Sequence, residues 1–310
     1  LPLLKEISVD VLTSILSVAV YEGLIFGLVA IGVYITFRVL GFPDLGVDAT
    51  FPLGGATAAV FIVNGTNPFL ATFLAFLAGL LAGSITGLLN TKLRISALLS
   101  GILIMVGLYS VNLRIMGGAN IPLLRETNAF DLVGQLTGLS GMSLSMSVAA
   151  IVALLIFMTL NWFLRTEIGL ALRASGDNEK MLRGLGVDTD KNILIGCSLS
   201  NGLVALAGAL VAQNQGFCDV GMGIGIIVMA LAAIIIGEGL LGQPKGIAAF
   251  LLACFAGMFA YRLFITLALR MGLPPGDLKL VTSILVVIAL GIPHIRKRMR
   301  QEWIPPASRM

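Results

Sequence analysis

Gly41-Phe42-Pro43-Asp44-Leu45-Gly46 and Gly216-Phe217-Cys218-Asp219-Val220-Gly221 are two versions of one six-residue phrase, 175 residues apart. Gly27-Leu28-Val29-Ala30 recurs as Gly202-Leu203-Val204-Ala205 at the same separation. A chain with 37 glycines repeats short Gly-rich words by chance. Two words sharing one offset point instead to duplication of a whole segment. In a hydrophobic chain, an internal duplication suits a transporter, because one half can rock against its twin about a central site.

The composition sets the solvent. Apolar residues make up 57% of the chain and charged residues 12%, against about 25% charged in a soluble domain. Mean hydropathy is +1.00. Apolar runs such as 151–160 and 224–236 lack the alternation of barrel strands, so the spans are expected to be helices. The expected fold is an all-α polytopic membrane protein. Its spans are placed at about 13–37, 50–64, 68–89, 97–113, 142–164, 191–212, 223–240, 246–269 and 278–292, nine in all. The second is short for a bilayer and opens on Phe51-Pro52-Leu53-Gly54-Gly55, which reads as a half-helix or re-entrant start. The chain opens at Leu1 rather than Met, so residues before it are expected to be missing. The first apolar stretch is too long for a signal peptide, and no cleavable signal is expected. Cys197, Cys218 and Cys254 lack metal-ligand spacing and read as small packing residues. Gly79, Gly83 and Gly87 place small residues on one face of the third span, suited to close packing within the subunit.

Charge gives the orientation. Fourteen of the 20 Lys and Arg fall on one side: Arg38, Lys92, Arg94, Arg165, Arg173, Lys180, Arg183, Lys191, Lys245, Arg296, Lys297, Arg298, Arg300 and Arg309. The positive-inside rule makes that side cytoplasmic, with the N-terminus outside and the C-terminus inside. The 175-residue offset maps span 1 onto span 6. An odd number of spans separates them, so the halves run in opposite senses. The chain therefore reads as one transmembrane domain over 1–310. Spans 1–4 (about 13–113) and 6–9 (about 191–292) form inverted repeats around a connecting span at 142–164. A cytoplasmic loop fills 165–191 and a basic tail 293–310.

A carboxylate in a span must face protein or water, which singles out Glu22 in span 1. It would either bind a substrate ammonium or hold helices together. Asp48, Thr50 and Phe51 at the broken start of span 2, with Asn112 and Asn201, are the other candidate substrate-pathway residues. Gln213 and Asn214 could add hydrogen bonds at the outer mouth. Asp44 and its mate Asp219 read as turn-forming residues.

The loop at 165–191 is the most polar segment. Ser175 or Asp177 could cap a short helix there, with Met181, Leu182 and Leu185 as an apolar face and Gly184 and Gly186 as its end. Such a helix suits docking in another protein's groove, and a solvated loop is the plainer reading. Gly169, Arg173-Ala174, Asp177 and Gly186-Val187 resemble the coupling-loop signature of ABC-importer permeases of the branched-chain amino acid type. Phe42-Pro43-Asp44-Leu45, Asp48 and Thr50-Phe51-Pro52-Leu53-Gly54 resemble a subgroup labelled tryptophan/tyrosine transport permeases. So do Ser100-Gly101-Ile102-Leu103, the run from Tyr109 to Gly118, and Asn120-Ile121.

The resemblance implies a membrane subunit of an ATP-driven importer in the bacterial cytoplasmic membrane. Its cargo would be a small solute, with an aromatic amino acid favoured and a nucleoside or other small metabolite as the alternative. It also implies two partner ATPase subunits, an extracytoplasmic solute-binding protein or lipoprotein, a second copy of this chain and surrounding lipid, with no nucleic acid. The coupling contact would involve Arg173, Ala174, Ser175, Gly176, Asp177, Asn178, Met181, Leu182, Leu185 and Gly186.

No nucleotide motif is present. Gly237-Glu238-Gly239-Leu240-Leu241-Gly242 lacks the Lys and Ser/Thr of a phosphate-binding loop, so ATP and Mg²⁺ are expected on a partner and no cofactor on this chain. An ATP-independent transporter or channel would use similar repeats. An intramembrane enzyme would need more than the single Asp44-x-x-x-Asp48 word, which has no second acidic motif or basic phosphate cluster beside it.

Overall fold

The computed structural model describes residues 9–242, 246–278, 280–284, 286, 287 and 291. The element order is α1 (Val9–Val33), continued by a π-helical turn (Tyr34–Val39), α2 (Val47–Val63), α3 (Pro68–Thr91), α4 (Ala97–Met116), β1 (Asn120–Pro122) and α5 (Ala129–Thr137). There follow α6 (Gly141–Phe163), α7 (Glu167–Asp177), α8 (Glu179–Gly184), α9 (Thr189–Gln215), β2 (Phe217–Asp219), α10 (Ile226–Leu241) and α11 (Ile247–Arg270). Among the described residues, six helices are long and apolar enough to cross a membrane, and α2 and α10 are shorter apolar helices. The chain is a polytopic helical membrane protein. The expected ninth span lies partly outside the described residues; 278, 280–284, 286, 287 and 291 are helical. Lys245 and the basic tail lie outside them.

Helix ends follow local chemistry. Asn67 accepts the Phe69 N–H at 2.9 Å and Pro68 opens α3, a favoured first position because its missing N–H would have no helical partner. Gly41 (φ +65°) and Gly216 (φ +78°) both adopt the left-handed conformation, which costs glycine least. Each then leads into an aspartate that turns the chain. Asp44 Oδ1 accepts the Gly46 N–H at 2.8 Å, and Asp219 Oδ1 accepts the Gly221 N–H at 2.7 Å. The recurring phrase thus shares its left-handed glycine and its aspartate turn in both places, while Phe217–Asp219 pairs as a strand and 42–44 does not.

Helix α9 runs through the centre, with Cys197, Asn201, Val204, Ala205 and Ala207 fully buried. Against it lies the glycine face of α3. A Cβ on Gly83 would collide with the Cys197 carbonyl, and one on Gly79 would crowd Asn201 and Ala205. Between apolar helices in lipid, association rests on such close van der Waals contact rather than on exclusion of water. The expectation that this face packs within the subunit matches the contact. All three cysteines are free and buried.

Two features were not read from the sequence. The strands β1 and β2 pair antiparallel, Ile121 opposite Cys218, and tie the segment after α4 to the segment after α9. Within the same segment α5 starts on a capping box between Asn128 and Asp131. Its Ala129 N–H donates to Gln213 Oε1 at 3.0 Å, which fastens it to the end of α9.

Candidate functional site

The starts of the two short helices meet. Asp48 lies in the first turn of α2, and its carboxylate reaches the start of α10. Oδ2 accepts the Gly225 N–H at 3.0 Å and Oδ1 the Ile227 N–H at 2.8 Å. The first N–H groups of a helix have no helical partner and carry partial positive charge, so a carboxylate there is both a cap and a charge complement. Pro52 supplies no N–H to the Asp48 carbonyl, four residues earlier in α2.

A buried network holds this start in place. Asp44 is 2% exposed, and its second oxygen accepts Asn201 Nδ2 at 2.7 Å. Thr50 donates to Asn201 Oδ1 at 2.7 Å, so Asn201 on α9 bridges the two. Asn112 on α4 donates to the Ala49 carbonyl at 3.0 Å. Its Oδ1 is buried and has no partner, a state that costs about 1–3 kcal/mol for a buried acceptor.

Asn112 and Asp48 both line a cavity of about 440 Å³ between α2, α4 and the segment leading into α10. Its walls include Pro52, Met105, Tyr109 and Ile224, with no cationic residue among the described lining. The volume lies within the range of small-molecule sites. The two aspartates turn to different partners: Asp44 to the Gly46 N–H and Asn201, Asp48 to the Gly225 and Ile227 N–H groups. No group of three His, Cys, Asp or Glu that could hold a metal occurs among the described residues.

The six candidate pathway residues therefore separate. Asp48 and Asn112 face the cavity, whereas Thr50 and Asn201 support it from behind. Phe51 stacks on Phe26, with centroids 5.8 Å apart. Glu22 lies in that second cluster, not at the cavity. Arg262 of α11 sets Nη1 3.3 Å from Glu22 Oε2 and its guanidinium 3.6 Å above the Phe26 ring. The carboxylate considered as a free partner for a substrate ammonium already has a cation against it. Arg262 lies within or at the edge of a span in the sequence and carried no expected role there. The signal was present: two opposite intramembrane charges have a strong reason to find each other.

The polar loop folds into two short helices whose caps differ from expectation. Thr166 accepts the Gly169 N–H to open α7, and Asn178 accepts the Met181 N–H to open α8. Ser175 is buried inside α7, donating to the Ala171 carbonyl and accepting from Asn192. Asp177 is the last residue of α7. The apolar face is also divided. Met181 and Leu185 are 54% and 71% exposed, while Leu182 is 7% exposed and packs inward. Arg173, Gly176, Asp177, Asn178 and Gly186 lie on the exposed side and Ala174 is half-buried. Gly176 presses on the Val39 carbonyl, where a Cβ would collide. Arg38, in that same π-helical turn, forms a paired contact with Glu238 near the end of α10, at 2.9 and 2.7 Å. Asp188 caps α9; the Lys191 N–H and ammonium hold its carboxyl below the usual range.

A family model described as branched-chain amino acid transport system / permease component matches residues 14–291. A tyrosine transport system permease protein of Clostridioides difficile (strain R20291) is 39% identical over 280 residues, covering 90% of this chain and 92% of the relative. An uncharacterised protein of Rickettsia prowazekii (strain Madrid E) is 36% identical over 280 residues, 89% of this chain and 97% of its own. The ribose import permease protein RbsC of Bacillus subtilis (strain 168) is 33% identical over 223 residues, 71% of this chain and 67% of its own. No solved structure matches the chain.

Proposed function

Because this chain belongs to the family of permease components of branched-chain amino acid transport systems, we propose that it is the membrane subunit of an ATP-driven importer of a small solute. An aromatic amino acid is the favoured cargo. The observation that carries this reading is the meeting of two short apolar helices at their amino ends beside a small-molecule cavity. Short or interrupted helices that meet within the membrane are where alternating-access transporters build their sites. Inverted repeats of spans 1–4 and 6–9 fit this arrangement, since Asp44 and Asp219 make matching turns 175 residues apart. The reading places the N-terminus outside, the C-terminus in the cytoplasm and the complex in the bacterial cytoplasmic membrane.

The α7–α8 surface would dock on the ATPase, which brings ATP and Mg²⁺. Two copies of this chain, two ATPases and an external solute-binding protein would complete the importer. A second reading, import of a sugar or other metabolite, is favoured by the likeness to a ribose permease. Co-reconstitution with the ATPase in liposomes tests both. ATP-dependent accumulation of labelled L-tyrosine is expected, with ribose excluded. Accumulation without ATP would instead make the chain a secondary transporter or channel.

A further inference from the structure

The cavity between α2 and α4 has an asymmetric chemistry. One residue lining it, Asp48, carries a carboxylate, and none of its described lining residues carries a cation. The amino ends of α10 and of α2, in whose first turn Asp48 lies, offset much of that charge, since each helix start is equivalent to roughly +0.5 of an elementary charge. The donors they supply are backbone N–H groups and not a cation. Each Asp48 oxygen takes one backbone N–H and keeps a further lone pair. Beside it, Asn112 is wholly buried. Its amide is oriented by the donation to Ala49, which leaves Oδ1 as an acceptor with no donor. The remaining walls are apolar or aromatic, with Pro52, Met105, Tyr109 and Ile224.

We infer that this cavity binds the ammonium group of a small primary-amine solute, held by Asn112 Oδ1 and the Asp48 carboxylate, with an aromatic side chain along Tyr109. An ammonium supplies the missing donor at Asn112 and a cationic donor for the remaining lone pairs of Asp48 in one group. A carboxylate in the same place would meet Asp48 as a like charge. The Glu22 carboxylate is not the ammonium partner, because Arg262 stands against it. The inference rests on the importer reading for its choice of an aromatic amino acid as cargo.

The test uses the full chain in lipid nanodiscs and three probes of one skeleton. These are L-tyrosine, tyramine, which lacks the carboxylate, and 3-(4-hydroxyphenyl)propanoate, which lacks the amine. Calorimetric titration should show tyrosine and tyramine binding and the propanoate weaker by about tenfold or more, the loss expected for a charge-assisted hydrogen bond. Asn112→Leu should weaken tyramine by a similar factor. The probe comparison uses the unaltered protein and remains decisive if that variant does not fold. Equal binding of the propanoate, no binding of any probe, or undiminished tyramine affinity in a folded Asn112→Leu chain would overturn the assignment. ATP-driven tyrosine uptake with any of those results would sink this site and leave the importer reading standing. Amine binding lost in Asn112→Leu, without ATP-driven uptake, would do the reverse.

Discussion

Asp48 Oδ1 lies 2.8 Å from the Ile227 N–H, so a side chain from the start of one short helix closes the start of the other. The contact joins segments 179 residues apart in sequence. It sets the amino ends of α2 and α10 against each other at the edge of the cavity. Movement of either helix relative to the other must stretch or break it, so the Asp48 contact reports on the relation between α2 and α10.

Asp48→Ala should therefore loosen α10. Loss of a capping carboxylate costs about 0.5–2 kcal/mol. Thermal unfolding should fall accordingly, while Asp48→Asn, which keeps one acceptor oxygen, should lose less. An Ala variant as stable as the Asn variant would mean the cap contributes nothing.

The Glu22–Arg262 pair should behave as a coupled unit. Removing one member of a fully buried pair costs about 3–5 kcal/mol. Glu22 is 32% exposed at its side chain, so Glu22→Ala should cost less than that range. Arg262→Met in the same background should recover part of the loss. A double-mutant cycle with additive effects would show that the two are not energetically linked. Uptake by Glu22→Gln should stay near normal, since Gln can still accept from the guanidinium.

Packing of α3 on α9 gives a steric test. Gly83→Ala places a methyl against the Cys197 carbonyl, and overpacking of this kind costs about 1–3 kcal/mol. Gly107→Ala on α4 meets nothing within 4 Å and should leave the unfolding temperature of the isolated chain unchanged. Equal effects of the two changes would refute close α3–α9 contact.

On the α7–α8 surface, Met181→Asp and Leu185→Asp alter exposed side chains. Each should weaken ATPase association about tenfold, a typical cost for an interface anchor, with the permease's own stability intact. Leu182→Asp, by contrast, should destabilise α8 itself, because that side chain is buried. Pull-down with the ATPase and thermal unfolding, run side by side, separate the two effects. Normal association of both exposed variants would remove this surface from the coupling contact.

Orientation can be read by impermeant thiol labelling, because the three native cysteines are buried. Lys180→Cys should label only in opened vesicles and Leu136→Cys in intact cells. Ser175, at 7% exposure, is a poor reporter. The reverse pattern would invert the proposed topology.

Helical class, the six membrane-length helices, the short second helix and the matching turns at Asp44 and Asp219 were all legible in the chain. They depend on hydropathy over about 20 residues or on hydrogen bonds between neighbours. The polar candidates were legible too, but not their groupings. Asp48 and Asn112 share a cavity because α4 packs on α2, and Glu22 meets a cation because α11 brings Arg262 across 240 residues. Leu182 turns inward while Met181 and Leu185 do not, which no periodicity in a six-residue helix could distinguish. Apolar patterning and turn chemistry are local and survive in the unfolded chain as preferences. The partner of a buried charge or amide is a property of helix packing, and it exists only once the helices have met.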